Sequence, residues 1–182
     1  MGTVANVRVI KPQAIYYADV ATDLPAITGT LGSTLTMGAG WTDAGFIDPE
    51  GKVKITFSSN IIQVRGMGVE GNLKSIKTQK KAMLEFSGFE KTIANLALAI
   101  GGSTLASNEL PDGGDSEVSY KAWAFVEDGL VYHFKKLGQV EDVEDEVADD
   151  AAGLVQFKLE THVEEAASAG KRQWNILERT AA

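Results

Sequence analysis

Cysteine is absent from the 182-residue chain, and histidine occurs only twice, at His133 and His162. The first absence excludes disulfides and thiolate metal sites. The second leaves a zinc site dependent on carboxylates recruited from distant segments, so no metal is expected. No Gly-x-Ser-x-Gly elbow or His-Glu-x-x-His pair is found, and no pair of carboxylates is singled out for acid–base work. Catalytic residues are therefore not assigned, and the chain reads as a non-enzyme. Long apolar runs are also missing. The longest, Leu96 to Ile100, is far below the ~20 residues of a membrane span. The beginning, Met1 to Gln13, has no basic stretch followed by an apolar one, and Asn6 stands where a myristoylation motif wants Ser or Thr. These features predict synthesis in the cytoplasm and no membrane partner.

The composition is that of an ordinary globular domain, with 44% hydrophobic and 23% charged residues. Its length suits a single domain over 1–182, with flexible ends. Charge is unevenly placed. Between Glu141 and Asp150 lie seven acids and no base, and this block accounts for nearly all of the net charge of -8. Long-range repulsion from phosphates argues against sequence-specific nucleic-acid binding, although DNA could pass without being held.

Alternation dominates the patterning. Val53, Ile55 and Phe57 share one face and Lys54, Thr56 and Ser58 the other, which predicts a half-buried strand continuing through Ile61 to Val64 after a break at Ser58-Ser59-Asn60. Leu73 to Phe86 reads as the return strand of a long hairpin whose tip spans Gln63 to Asn72; a helix over Leu73, Ile76 and Met83 is the rival. Ala14 to Ala18 and Ser33 to Met37 are short extended segments. Val118 to Val126 and Leu130 to Lys136, joined by Glu127-Asp128-Gly129, predict a second hairpin. Leu154 to Val163 is the cleanest strand, and Trp174 to Leu177 a last short one. Trp41 and Phe46 are expected to plug one end of the core between glycine-permitted bends. One helix is signalled by the capping-box spacing Ser87 to Glu90, the apolar stripe Phe89, Ile93, Leu96, Ala97 and Ile100, and the stop at Gly101-Gly102. Ala94 and Leu98 lie partly outside that stripe, which makes them candidates for contact with another subunit. The expected fold is mainly β, an antiparallel sandwich or barrel with one flanking α-helix.

Three charged or glycine-rich segments invite functional readings. Gly66-Met67-Gly68-Val69-Glu70-Gly71 matches a dinucleotide fingerprint in spacing, but no second strand of a βαβ unit precedes the required acid. A hairpin tip is the reading preferred, and no cofactor is expected. Lys74, Lys77, Lys80 and Lys81 lack the interleaved aromatics of a nucleic-acid groove. They suit a solvated strand face or, more sharply, pairing with the acidic block of a neighbouring copy. The acidic block lacks the central glycine and distal glutamate of a calcium-binding EF-hand loop and reads as a solvated connection.

The segments Gly40-Trp41-Thr42-Asp43-Ala44-Gly45-Phe46 through Ile55, and Leu84-Glu85-Phe86-Ser87-Gly88-Phe89 through Gly101-Gly102, resemble the corresponding parts of siphophage major tail proteins, the tail-tube family. The Glu127-Asp128-Gly129 hairpin and the strand around Val155 to Leu159 follow in compatible order, so the resemblance covers roughly residues 35 to 165.

The resemblance implies a virion structural protein that self-assembles into hexameric rings, stacked as a tube whose shared inner barrel conducts the genome during ejection. Its implied partners are other copies of itself, the tail terminator, tape-measure and tip proteins, and passing DNA. Elementary geometry agrees that one chain of seven to nine strands cannot surround a duplex, since a barrel of about eight strands is filled by its own side chains. Glu85 and Glu160, on polar strand faces, are the candidates for an acidic lumen; Lys52 and Lys54 would oppose that if their face lined the lumen. Arg65, Gly66, Met67, Gly68, Val69, Glu70 and Gly71 are the candidates for contact with the adjacent ring. A tube subunit of a related injection or secretion machine, and a monomeric β-sandwich binding module for carbohydrate, are the competing functions. The latter would present clustered exposed aromatics, whereas Trp41, Trp123 and Trp174 are scattered.

Overall fold

Strands dominate the structure, as the alternating pattern requires. The computed structural model describes residues 12–20, 22–24, 37–45, 53–65, 72–88, 93–100, 118–127, 129–140, 155–162 and 173–178. In chain order these form β1 (Pro12–Ala18), β2 (Thr42–Asp43), β3 (Lys54–Arg65), β4 (Asn72–Gly88), α1 (Ile93–Ile100), β5 (Tyr120–Glu127), β6 (Leu130–Gln139), β7 (Val155–Thr161) and β8 (Trp174–Glu178). The strands join one antiparallel sheet in the order β2-β1-β5-β6-β7-β4-β3, with β8 paired to β6. The fold is thus mainly β, as expected, with one helix among the described residues, whose strands form a sheet that does not close into a barrel.

β7 and β8 share one side of β6. Leu137 faces Thr161 and Phe134 faces Trp174. Between these pairs the His162 N–H donates to the Lys136 carbonyl and the Lys135 N–H to the Gln173 carbonyl, both at 3.0 Å. One long strand is therefore served by two shorter ones laid end to end.

The core lies on the face to which Val155, Phe157 and Leu159 of β7 and Ala82, Leu84 and Phe86 of β4 point. Phe86 and Phe157 stack at 4.7 Å between ring centroids, and Trp123 of β5 meets both edge-on at 5.8 Å. Quadrupole-favoured geometry of this kind adds to the area each ring removes from water. Ile15 of β1, Phe134 and Leu137 of β6, and Ala99 of α1 complete the cluster. Gly138 admits the Tyr120 and Val118 side chains so closely that a Cβ there would sit 2.7 Å from Val118 and 2.8 Å from Tyr120.

Several expectations change. Leu73 to Phe86 is strand throughout, which removes the rival helix. Ser87 and Gly88 pair with Gln156 and Val155, so Ser87 belongs to the ladder and cannot cap a helix beginning at Gly88. The pairing partner lies far along the chain and overrides the local capping signal. Met37 is not in a strand; it packs with Tyr16 and Leu24 on Val126 and Val131, while Ser33 to Thr36 lie outside the described residues. Phe46, Phe89 and Val163 also lie outside them. Trp41 sits between Gly40 and Gly45, at φ of 92° and 90°, a region that glycine enters without strain. It is half-buried against His133 and belongs to neither core cluster, so it does not plug the core as expected.

Candidate assembly surface

β3 and β4 pair along nearly their whole length, from Lys54↔Glu85 to Arg65↔Asn72. β7, however, accompanies β4 only from Gly88 to Met83. At the next position the buried Ala82 N–H donates to Thr161 Oγ1 at 2.9 Å in place of a ladder carbonyl. The register of β3 against β4 then shifts between Ser58 and Asn60, where one β3 residue opposes two of β4. Beyond that bulge no third strand among the described residues accompanies the pair. The outer part of the hairpin is a two-stranded arm.

Apolar residues lie on both faces of this arm. Strand alternation puts Ile62 and its partner Ile76 on one face and Ile61, opposite Lys77, on the other. Their exposures are 53%, 39% and 58% respectively. A two-stranded ribbon is marginal in water by itself, and apolar side chains on its two faces are what a partner surface would cover. Lys74, Lys77 and Lys80 are exposed along the same arm and pair with no carboxylate among the described residues. At the base of the arm, Phe57 rests against Trp174 at 5.5 Å.

Arg65 closes the arm by pairing with Asn72, and Gly66 to Gly71, the remaining inter-ring candidates, lie outside the described residues. The residue after this glycine segment, Asn72, begins β4 rather than a helix, so the dinucleotide reading lacks its required context. The sequence reading stopped at the tip and missed Ile61, Ile62 and Ile76. A signal was available: adjacent isoleucines in a strand must occupy opposite faces, so one leaves whichever face is buried.

Glu85 and Glu160 share one outward face of β4 and β7, as the alternation indicated. Each is held by a lysine: Lys54 Nζ lies 3.1 Å from Glu85, and Lys81 Nζ 3.0 Å from Glu160. Lys158, in register with Glu85, stands on the same face. The face is charge-balanced, so these two carboxylates do not make it an acidic wall. In α1, Leu98 is partly buried against the chain's own core cluster, which accounts for its apolar character without a second subunit. Ala94 lies within α1, but its side chain is outside the described set.

The histidines occupy the body. His133 is buried, and its Nε2 lies 3.1 Å from the Thr22 carbonyl, an acceptor only, so that nitrogen carries the proton. Trp41 meets the His133 ring edge-on at 5.7 Å and donates its indole N–H to the Asp23 carbonyl at 3.3 Å. Desolvation by burial lowers the His133 pKa, as does Lys135; the Thr22 hydrogen bond and Asp23 oppose them. His162 packs edge-on against Tyr120, which also carries the Lys136 ammonium over its ring. Among the described residues no group of three metal-ligating side chains converges, and no helix is long and apolar enough to cross a membrane.

No family model matches the sequence, and no curated protein matches it.

Proposed function

We propose that this chain is the structural subunit of a phage tail tube, which self-assembles into stacked hexameric rings whose lumen conducts genomic DNA. The observation that carries the reading is the β3–β4 arm, with isoleucines exposed on both faces where it has left the sheet. The sheet edges add support: among the described residues β2 and β3 stand at the two ends of the strand order, which suits a unit that completes its pairing with neighbours. The sixfold ring, the placement in the virion tail, and the terminator, tape-measure and tip partners follow from the family resemblance of the two segments described above. DNA passes through without sequence-specific binding, and the role is structural rather than enzymatic. The arm, with the tip at Arg65 to Gly71, takes the part of the inter-ring contact.

The carbohydrate-module alternative is less well supported, because Trp123 is buried in the core and Trp41 and Trp174 are half-buried on separate elements. Negative-stain microscopy of the concentrated chain tests the proposal. Rings or hollow filaments are expected; strictly monodisperse single copies at high concentration would overturn it.

A further inference from the structure

Two open strand edges of this chain carry no charge. β3 stands at the end of the strand order, so its outer edge is open among the described residues. β8 pairs among them with β6 alone, because β4 accompanies β7 and parts from the sheet where β7 ends. Proteins commonly guard an open edge with lysine. The free edge of β4 in the arm has such guards in Lys74, Lys77 and Lys80. Asn60 to Val64 of β3 and Trp174 to Leu177 of β8 have none.

Both unguarded segments present apolar residues on two faces. Ile61 and Ile62 are neighbours in β3, Ile176 and Leu177 are neighbours in β8, and all four are exposed. Strand alternation sends the two members of each pair to opposite faces. Packing onto a core covers one face of a strand; a strand added alongside extends both. The two segments also match residue by residue. Laid antiparallel, as every ladder among the described strands is, Ile61 falls opposite Leu177, Ile62 opposite Ile176 and Gln63 opposite Asn175. Apolar meets apolar at two positions, and amide meets amide at the third.

One copy cannot make this ladder by itself. β8 lies in line with β7 along β6, so its open edge looks toward the β4 side. β4 stands between β3 and β7 in the strand order, so the open edge of β3 faces away from the β8 of its own chain. We infer that the outer part of β3 in one copy adds as an antiparallel strand to the β8 edge of a second copy. This rests on the self-assembly reading and adds to it the two edges that meet. Because the edges differ, the contact is heterologous and propagates from copy to copy, giving a ring where the rotation closes.

The absence of cysteine makes the register directly testable in the full chain. Opposite residues of an antiparallel pair stand roughly 4.5–5.5 Å apart at Cα, within disulfide range. The double variant I62C/I176C, oxidised and run on a non-reducing gel, is expected to give a ladder of covalent oligomers of three or more copies. I62C alone and I176C alone lack the partner thiol and stop at dimers at most. I62C/L177C puts its thiols one residue out of register and on opposite faces, and should cross-link about tenfold less or weaker still. A second readout is I62K, which places a guard on the β3 edge. Its association in sedimentation velocity should fall on the order of tenfold or more. A product confined to monomer, an equal ladder from I62C/L177C, or association unchanged in I62K would overturn the pairing. Wild-type rings or hollow filaments without the ladder would discard the pairing and leave the tube reading standing. A ladder from chains that never close into rings would do the converse.

Discussion

The inner and outer halves of the β3–β4 hairpin are written in nearly the same alternating code, yet they meet opposite fates. From Met83 to Gly88 the β4 strand of the hairpin is flanked by β7, and Leu84, Phe86 and the adjoining Ala82 are buried. From Asn60 to Arg65 and from Asn72 to Thr78 the ladder continues with no third strand among the described residues, and three isoleucines face solvent. Burial here is set by what stands next to the strand. An exposed apolar residue in the arm is therefore better read as one half of a contact than as a weak spot in a core.

Substitution should expose that contrast. Phe157→Ala, in the stacked cluster of the body, is expected to cost about 3–5 kcal/mol of monomer stability. Chemical denaturation would read it; a loss below about 1 kcal/mol would mean that the ring stack is not the centre of the core. Thr161→Val strands the buried Ala82 N–H at the point where the arm leaves the sheet, and a loss of about 1–3 kcal/mol is expected in the same assay. An unchanged midpoint would show that the side-chain oxygen does not terminate the ladder.

A pH effect should also belong to the body. Burial lowers the folded-state pKa of His133 below its ordinary 6.5, so its neutral form favours folding. That stability is fully present above pH 6.5 and is lost as pH falls through the folded-state value. The melting temperature should decline on acidification from pH 8 through this window, and His133→Gln should flatten the decline. Equal slopes in the two proteins would remove His133 as the cause. Smallest of all should be Ile62→Ala in the arm, within about 0.5 kcal/mol of wild type for the isolated monomer. A body-sized loss there would place Ile62 in a monomer core and dissolve the contrast.

Much of the body was legible from the residues. The alternation of Val155, Phe157 and Leu159 and the Glu127-Asp128-Gly129 turn each point to elements that the structure contains, because both signals are local. The ion pairs were not legible: Glu85 and Glu160 take their lysines from 31 and 79 residues away, and strand periodicity carries no information about such partners. Ser87 misled for the same reason, its strand partner Gln156 being remote. The departure of β4 from the sheet was equally hidden, since it depends on Thr161 and on where β7 stops. The long hairpin itself was readable; its bare outer half was not.

Shortening the arm tests its role most directly. Replacing residues 60–79 with a two-residue Asn-Gly turn keeps the body and the β4–β7 ladder while deleting Ile61, Ile62, Ile76, Lys74 and Lys77. Sedimentation velocity over a wide concentration range should find the intact chain associating and the shortened chain monomeric, with the sheet signal in circular dichroism retained. Equal association of the two would contradict the account.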